Sequence, residues 1–175
     1  MKQKITFKLC LAMLGLLLSF SAGAQEVIIE QLKYTLYDDG TAIVVAANTS
    51  TISGEIVIPE SVENNNNTYR VTTIGVMAFN SCSGLTAITI PNSVTTIGVF
   101  AFKNCTGLTS ITIPNSVTTI REQAFDYCIG LTSITIGNSV TEIYYRAFAS
   151  CRGLTSITIP NSVTTIGEEA FAYCE

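Results

Sequence analysis

Residues 108–130 read LTSITIPNSVTTIREQAFDYCIG, and close copies lie on both sides. Leu85–Gly107 reads LTAITIPNSVTTIGVFAFKNCTG, Leu131–Gly153 reads LTSITIGNSVTEIYYRAFASCRG, and Leu154–Glu175 reads LTSITIPNSVTTIGEEAFAYCE. The step is 23 residues, marked by Cys105, Cys128, Cys151 and Cys174, with Cys82 one step further back. A fixed period of this length is the signature of a repeat solenoid, in which each unit packs only on its neighbours.

The expected coil is two short strands followed by a short helical turn. Ile111 and Ile113 share one strand face by two-residue alternation, and Leu108 enters the core where the strand begins. Pro114-Asn115-Ser116 turns the chain, because proline cannot continue a strand ladder. Val117 to Ile120 makes the second strand, with Thr118 and Thr119 outward. Glu122 to Cys128 suits a helical turn, since Ala124, Phe125 and Cys128 are spaced to share one helix face. Gly130 then releases the chain into the next coil. One coil offers about five large apolar side chains, each worth roughly 1.5–3 kcal/mol on full burial. Ordering its backbone costs about 1–2 kcal/mol per residue, so a lone coil should not fold. Stacking makes up the difference, and it predicts a continuous column of Phe79, Phe102, Phe125, Phe148 and Phe171.

Outward from this core, Glu55–Gly84 is a looser copy, with Ile56-Val57-Ile58-Pro59, Val71-Thr72-Thr73-Ile74-Gly75 and Ala78-Phe79 in the shared positions. Its extra chain between Val62 and Val71, including Asn64 to Asn67, is expected to be an exposed loop between two strands. Further upstream, Leu32–Tyr37 and Thr41–Ala46 suit strands, and Asp38-Asp39-Gly40 between them suits a turn. The prediction is a β-hairpin within Gln25–Asn48 that covers the first coil's apolar edge.

The chain begins with Lys2, Lys4 and Lys8, an apolar run from Leu9 to Phe20, and Ala22-Gly23-Ala24. That is the pattern of a secretory signal peptide cleaved after Ala24. The run is shorter than the roughly 20 residues of a membrane span, so no direct span is expected after cleavage. The domain reading is therefore signal peptide 1–24, cap 25–54, and repeats 55–84, 85–107, 108–130, 131–153 and 154–175. Without the three lysines, six Lys and Arg face thirteen Asp and Glu, a net charge near −7. Nucleic acid and anionic membrane are poor partners for such a chain. There is no His, the residue that most often binds metals or shuttles protons near neutral pH.

The shared I-x-I-P, S-V-T-x-I, A-F and the Cys three residues after the Phe resemble the leucine-rich repeats of the BspA type, found in secreted and surface proteins of Bacteroidetes and in some protists. The likeness covers Ile56 to Glu175; Gly137 departs from it by replacing proline, and the first copy by its insert. The resemblance implies a curved, right-handed β/α superhelix. It also implies export to the cell surface or beyond, and adhesion to host or neighbouring-cell proteins or glycans. It carries no catalytic residues; no metal or cofactor is expected either, since one cysteine per coil is not the paired spacing of a zinc site.

Of the six cysteines Cys10 lies in the predicted signal peptide; the other five, in an exported chain, invite disulfides, yet they are odd in number and one per coil. Neighbouring strands bring Cα atoms within disulfide range without supplying the Cβ approach, so a ladder of buried thiols is the favoured reading for Cys82, Cys105, Cys128, Cys151 and Cys174. The outward first-strand positions form a polar face: Thr86, Thr89, Thr109, Ser110, Thr112, Thr132, Ser133, Thr135, Thr155, Ser156 and Thr158. Three readings apply: plain β-propensity, a platform for a protein or glycan, and remotely an ice-binding Thr face.

Near-identical copies make their differences informative. These fall at Gly98-Val99-Phe100, Arg121-Glu122-Gln123, Tyr144-Tyr145-Arg146 and Gly167-Glu168-Glu169, and near the cysteines at Lys103, Tyr127, Arg152 and Tyr173. Tyr and Arg are common interface anchors, so Arg121, Glu122, Tyr144, Tyr145, Arg146 and Arg152 form the candidate recognition patch; free drift at solvent-facing positions explains them equally well. No carboxylate pair or base-flanked serine recommends itself for catalysis. The leading function is a non-enzymatic scaffold binding proteins or glycans outside the cell; the alternative is a spacer or assembly module of a larger surface protein. The last coil is expected to expose Ile157, Ile159, Val163, Ile166 and Phe171, to be covered by further chain or by end-to-end stacking of another subunit.

Overall fold

The computed structural model describes residues 24–45 and 52–174; the predicted signal peptide before Ala24, and Ala46 to Thr51 of the cap segment, lie outside them. The strands are β1 (Ala24–Ile29), β2 (Leu32–Tyr37), β3 (Thr41–Val45), β4 (Ser53–Val57), β5 (Ser61–Asn64), β6 (Asn67–Ile74), β7 (Gly84–Thr89), β8 (Thr96–Ile97), β9 (Ser110–Thr112), β10 (Thr119–Ile120), β11 (Ser133–Thr135), β12 (Glu142–Ile143) and β13 (Thr165–Ile166).

The second strands of successive coils form one parallel sheet in the order β3-β6-β8-β10-β12-β13. Its register follows the 23-residue step, with Ile97 opposite Ile120 and Ile120 opposite Ile143. The first strands pair in parallel on another side, β4 with β7 and β9 with β11. Leu108, Ile111, Ile113, Val117 and Ile120 are buried, and Thr118 is exposed.

The third side differs from the expected helical turn. No helix occurs among the described residues. Instead the backbone runs through consecutive tight turns, in which Ala124, Asp126 and Cys128 donate their N–H groups three residues back to Arg121, Gln123 and Phe125. The alternate N–H groups of Gln123, Phe125 and Tyr127 donate across to Tyr145, Ala147 and Ala149 of the next coil, at 2.9, 2.7 and 2.8 Å. A helix would direct every N–H along its own axis; this arrangement makes the turn side pair between coils as a sheet does. Its cost is a left-handed residue on each side of the Phe, for instance Gln123 (φ 51°) and Tyr127 (φ 64°). Asn104 is another, at φ 59°. Asn104→Val should cost about 1–2 kcal/mol in urea denaturation, because a branched Cβ is poorly tolerated there, while Asn104→Gly should match or exceed the parent.

Inside, the five Phe rings stack with centroids 5.2, 5.0, 5.1 and 5.4 Å apart and interplanar angles of 1° to 8°. Beside them the five described cysteines are free. The thiols of Cys105, Cys128, Cys151 and Cys174 donate to the carbonyls of Phe79, Phe102, Phe125 and Phe148 at 3.0–3.2 Å. Glycine closes each coil because the chains touch there: a Cβ on Gly130 would run into the Thr106 carbonyl.

The N-terminal segment forms three antiparallel strands, β1-β2-β3, one more than the predicted hairpin. The β2–β3 turn lies at Asp38-Asp39-Gly40, with Gly40 at φ 79° and Asp39 Oδ1 accepting from the Thr41 amide and hydroxyl at 2.9 and 2.6 Å. Leu32, Tyr34, Leu36, Ala42 and Val44 are buried, and β3 pairs with β6, so this segment continues the sheet where a preceding coil would stand. The polar insert is a second correction. It is an antiparallel hairpin, β5 with β6, and only Asn65 and Asn66 are turn residues, both left-handed at φ 49° and 63°. Two such angles define the tight turn that suits strand twist, and asparagine tolerates them. At the far end Ile157, Ile159, Val163 and Phe171 are half-buried and Ile166 is 52 % exposed.

Candidate functional site

The outward face of the parallel sheet carries an apolar groove of about 610 Å³ where the N-terminal strands meet the first coils. Tyr37 from β2, Ile43 and Val45 from β3, and Val76 and Val99 from the residues after β6 and β8 line it, and Arg121 and Glu122 close one end. The strand pattern explains the apolar wall. Ala42 and Val44 face inward, so alternation turns Ile43 and Val45 outward. The 23-residue step puts Val76, Val99, Glu122 and Tyr145 at one position on successive coils.

Arg121 is held in place. Its guanidinium carbon lies 5.2 Å from the centroid of the Tyr144 ring. The Tyr144 hydroxyl donates to Glu142 Oε2 at 3.0 Å, and this bond raises the Tyr144 pKa. A guanidinium fixed on an aromatic face loses less freedom on binding than a free one.

The structure thus divides the sequence-derived patch. Arg121, Glu122 and Tyr144 gather at the groove, and Tyr145 continues the row as an exposed ring. Arg146 does not line the groove; its backbone is left-handed, φ 50°, and its Nε lies 3.6 Å from Glu169 Oε2. Arg152 is exposed after Cys151 and does not line the groove. Sequence reasoning missed Tyr37, Ile43, Val45 and Val76. The signal was present in β3, where TAIVV is apolar on both faces of one strand.

The polar strand face also divides. Thr109 and Thr132 donate their hydroxyls to the carbonyls of Thr86 and Thr109, at 3.4 and 3.1 Å, and so tie one coil to the next. Thr89, Ser110, Thr112 and Thr135 line a shallow trough of about 660 Å³ with Asn92, Asn115 and Asn138. Ser133, Thr155, Ser156 and Thr158 are exposed beyond it. Among the described residues no cluster of three His, Cys, Asp or Glu could hold a metal ion, and no helix is long and apolar enough to cross a membrane.

Crystal structures of leucine-rich-repeat proteins share this architecture. One from Bacteroides ovatus is 38% identical, with a TM-score of 0.78 over 85% of this chain and 39% of that one. One from T. pallidum is 30% identical, with a TM-score of 0.76 over 86% of this chain and 68% of that one. A leucine rich cell surface protein from Faecalibacterium prausnitzii is 26% identical, with a TM-score of 0.52 over 89% of this chain and 54% of that one. The chain thus spans well under half of the B. ovatus protein. No curated protein matches it. The BspA-type leucine-rich-repeat region matches residues 50–175 in six copies. With the 23-residue coil, the Phe column and the parallel strand ladders, that match makes the chain a member of the BspA-type leucine-rich-repeat family.

Proposed function

We propose that this chain is an exported, surface-displayed scaffold that binds a protein ligand without catalysis, and that the groove beside Arg121 is where it does so. The supporting observation is the pairing of an apolar wall with a positioned charge: Val76, Val99, Ile43 and Val45 on one side, and Arg121 stacked on Tyr144 on the other. Protein interfaces draw most of their affinity from such a centre, an apolar pocket rimmed by an aromatic or Arg anchor. The F. prausnitzii relative is described as a cell surface protein, which supports the same placement here.

The experiment is binding of residues 25–175 to a panel of immobilised extracellular-matrix proteins. At least one should be retained, and Val76→Asp combined with Arg121→Ala should weaken that interaction by about tenfold or more, with unchanged melting. Retention of the double variant at parent affinity, or no retention on any member of the panel, would remove this reading.

A further inference from the structure

We propose that Tyr127 and Tyr173 form a stacking platform for an extended, uncharged β-1,4-linked polysaccharide. The two tyrosines occupy one position of the repeat, two coils apart. Their backbones match, at φ 64° and 60°. Both rings are exposed, 44 % and 63 %, on the turn side of the coil. The equivalent residue between them is Ser150, which is 8 % exposed and too short to reach a ligand lying across the two rings. The coil steps are 5.1 and 5.4 Å in the Phe column, so two coils advance the stack there by about 10.5 Å.

That interval is what selects the ligand. In a β-1,4-linked chain successive sugars are flipped, so every second ring presents the same face, and two sugars advance the chain by nearly the same distance. Each exposed ring can then lie against the C–H face of alternate sugars, burying apolar surface on both. On the coil between them the exposed Arg152 supplies N–H donors for hydroxyl groups. The net charge near −7 of the chain without its first 24 residues favours an uncharged glycan over an anionic one. A folded protein surface has no such period, so dependence on the interval separates it from the polysaccharide.

Affinity electrophoresis in gels containing hydroxyethyl cellulose tests this. The parent should be retarded, and Tyr127→Ala and Tyr173→Ala should each weaken retardation by about tenfold, as expected for a lost stacking contact. Ser81 and Asn104 occupy the same repeat position, two coils and one coil before Tyr127, with φ of 63° and 59°. Ser81→Tyr adds a third ring at the two-coil interval and should strengthen binding. In the Tyr173→Ala background Ser81→Tyr should restore binding and Asn104→Tyr should not. Equal rescue by both, no rescue by Ser81→Tyr, or no retardation of the parent would overturn the proposal. Val76→Asp should leave retardation unchanged, so failure here and failure of the groove reading are distinct results.

Discussion

Phe125→Ala is expected to destabilise the protein by about 3–5 kcal/mol, the usual cost of removing a buried ring from a packed core. The ring is fully buried and stacks on both sides, against Phe102 at 5.0 Å and Phe148 at 5.1 Å. Its removal deprives two neighbours of contact and interrupts the column at its middle. Among the described residues Phe171 stacks on Phe148 alone and is half-buried, so in this 175-residue chain Phe171→Ala should cost about half as much. In a solenoid, stability resides in the interfaces between neighbours, so Phe125→Ala should also broaden the transition as the two halves uncouple. Urea denaturation of both variants measures the difference. Equal losses at the two positions would mean that the column does not carry the stability assigned to it.

Above pH 9 the fold should weaken steeply. Burial pushes the Cys82 thiol up to about 11, and Cys105 and Cys151 up to about 12, from an ordinary value of 9.0. Cys128 is raised well above that value by the same cause. Burial also pushes the Tyr34 phenol from 10.0 to about 12. All these groups hold their protons more tightly folded than unfolded. Their linkage contribution is therefore fully present below the unfolded pKa and is lost as pH rises through the folded one, between 9 and 12 for the thiols. Each contributes at most about 1.4 kcal/mol per pH unit. Denaturation at pH 8 and pH 11 should show a loss of several kcal/mol. Cys105→Ser with Cys151→Ser should flatten that slope, because a serine hydroxyl keeps its proton and can still donate to the Phe carbonyl. An unchanged slope in the double variant would show that the thiols do not govern alkaline unfolding.

The coil register was readable from the spacing of Cys105, Cys128 and Cys151, because a side chain can face a shared core in every copy only if the copies align. The geometry of the third side was not. Ala124, Phe125 and Cys128 have the spacing of a helix face, and a run of turns buries the same three. The left-handed residues that would have distinguished the two are Met77, Phe100, Gln123, Arg146 and Glu169 before the Phe and Ser81, Asn104, Tyr127, Ser150 and Tyr173 after it, and only asparagine among them advertises that conformation. The same left-handed position holds Arg146, at the equivalent of Gln123, and unlike Arg121 it does not line the groove. Strand β1 was missed because Val27-Ile28-Ile29 lies two residues past the cleavage motif and has no copy elsewhere in the chain to compare with.

The β5–β6 arm lengthens one coil without disturbing its neighbours, for β6 still pairs with β3 and β8. The corner between Ser61 and Val71 corresponds to Ser116-Val117 in the central copy. A foreign peptide spliced there should project into solvent while the register beneath it is kept. New loops can therefore be added at this corner, by evolution or in the laboratory, one coil at a time.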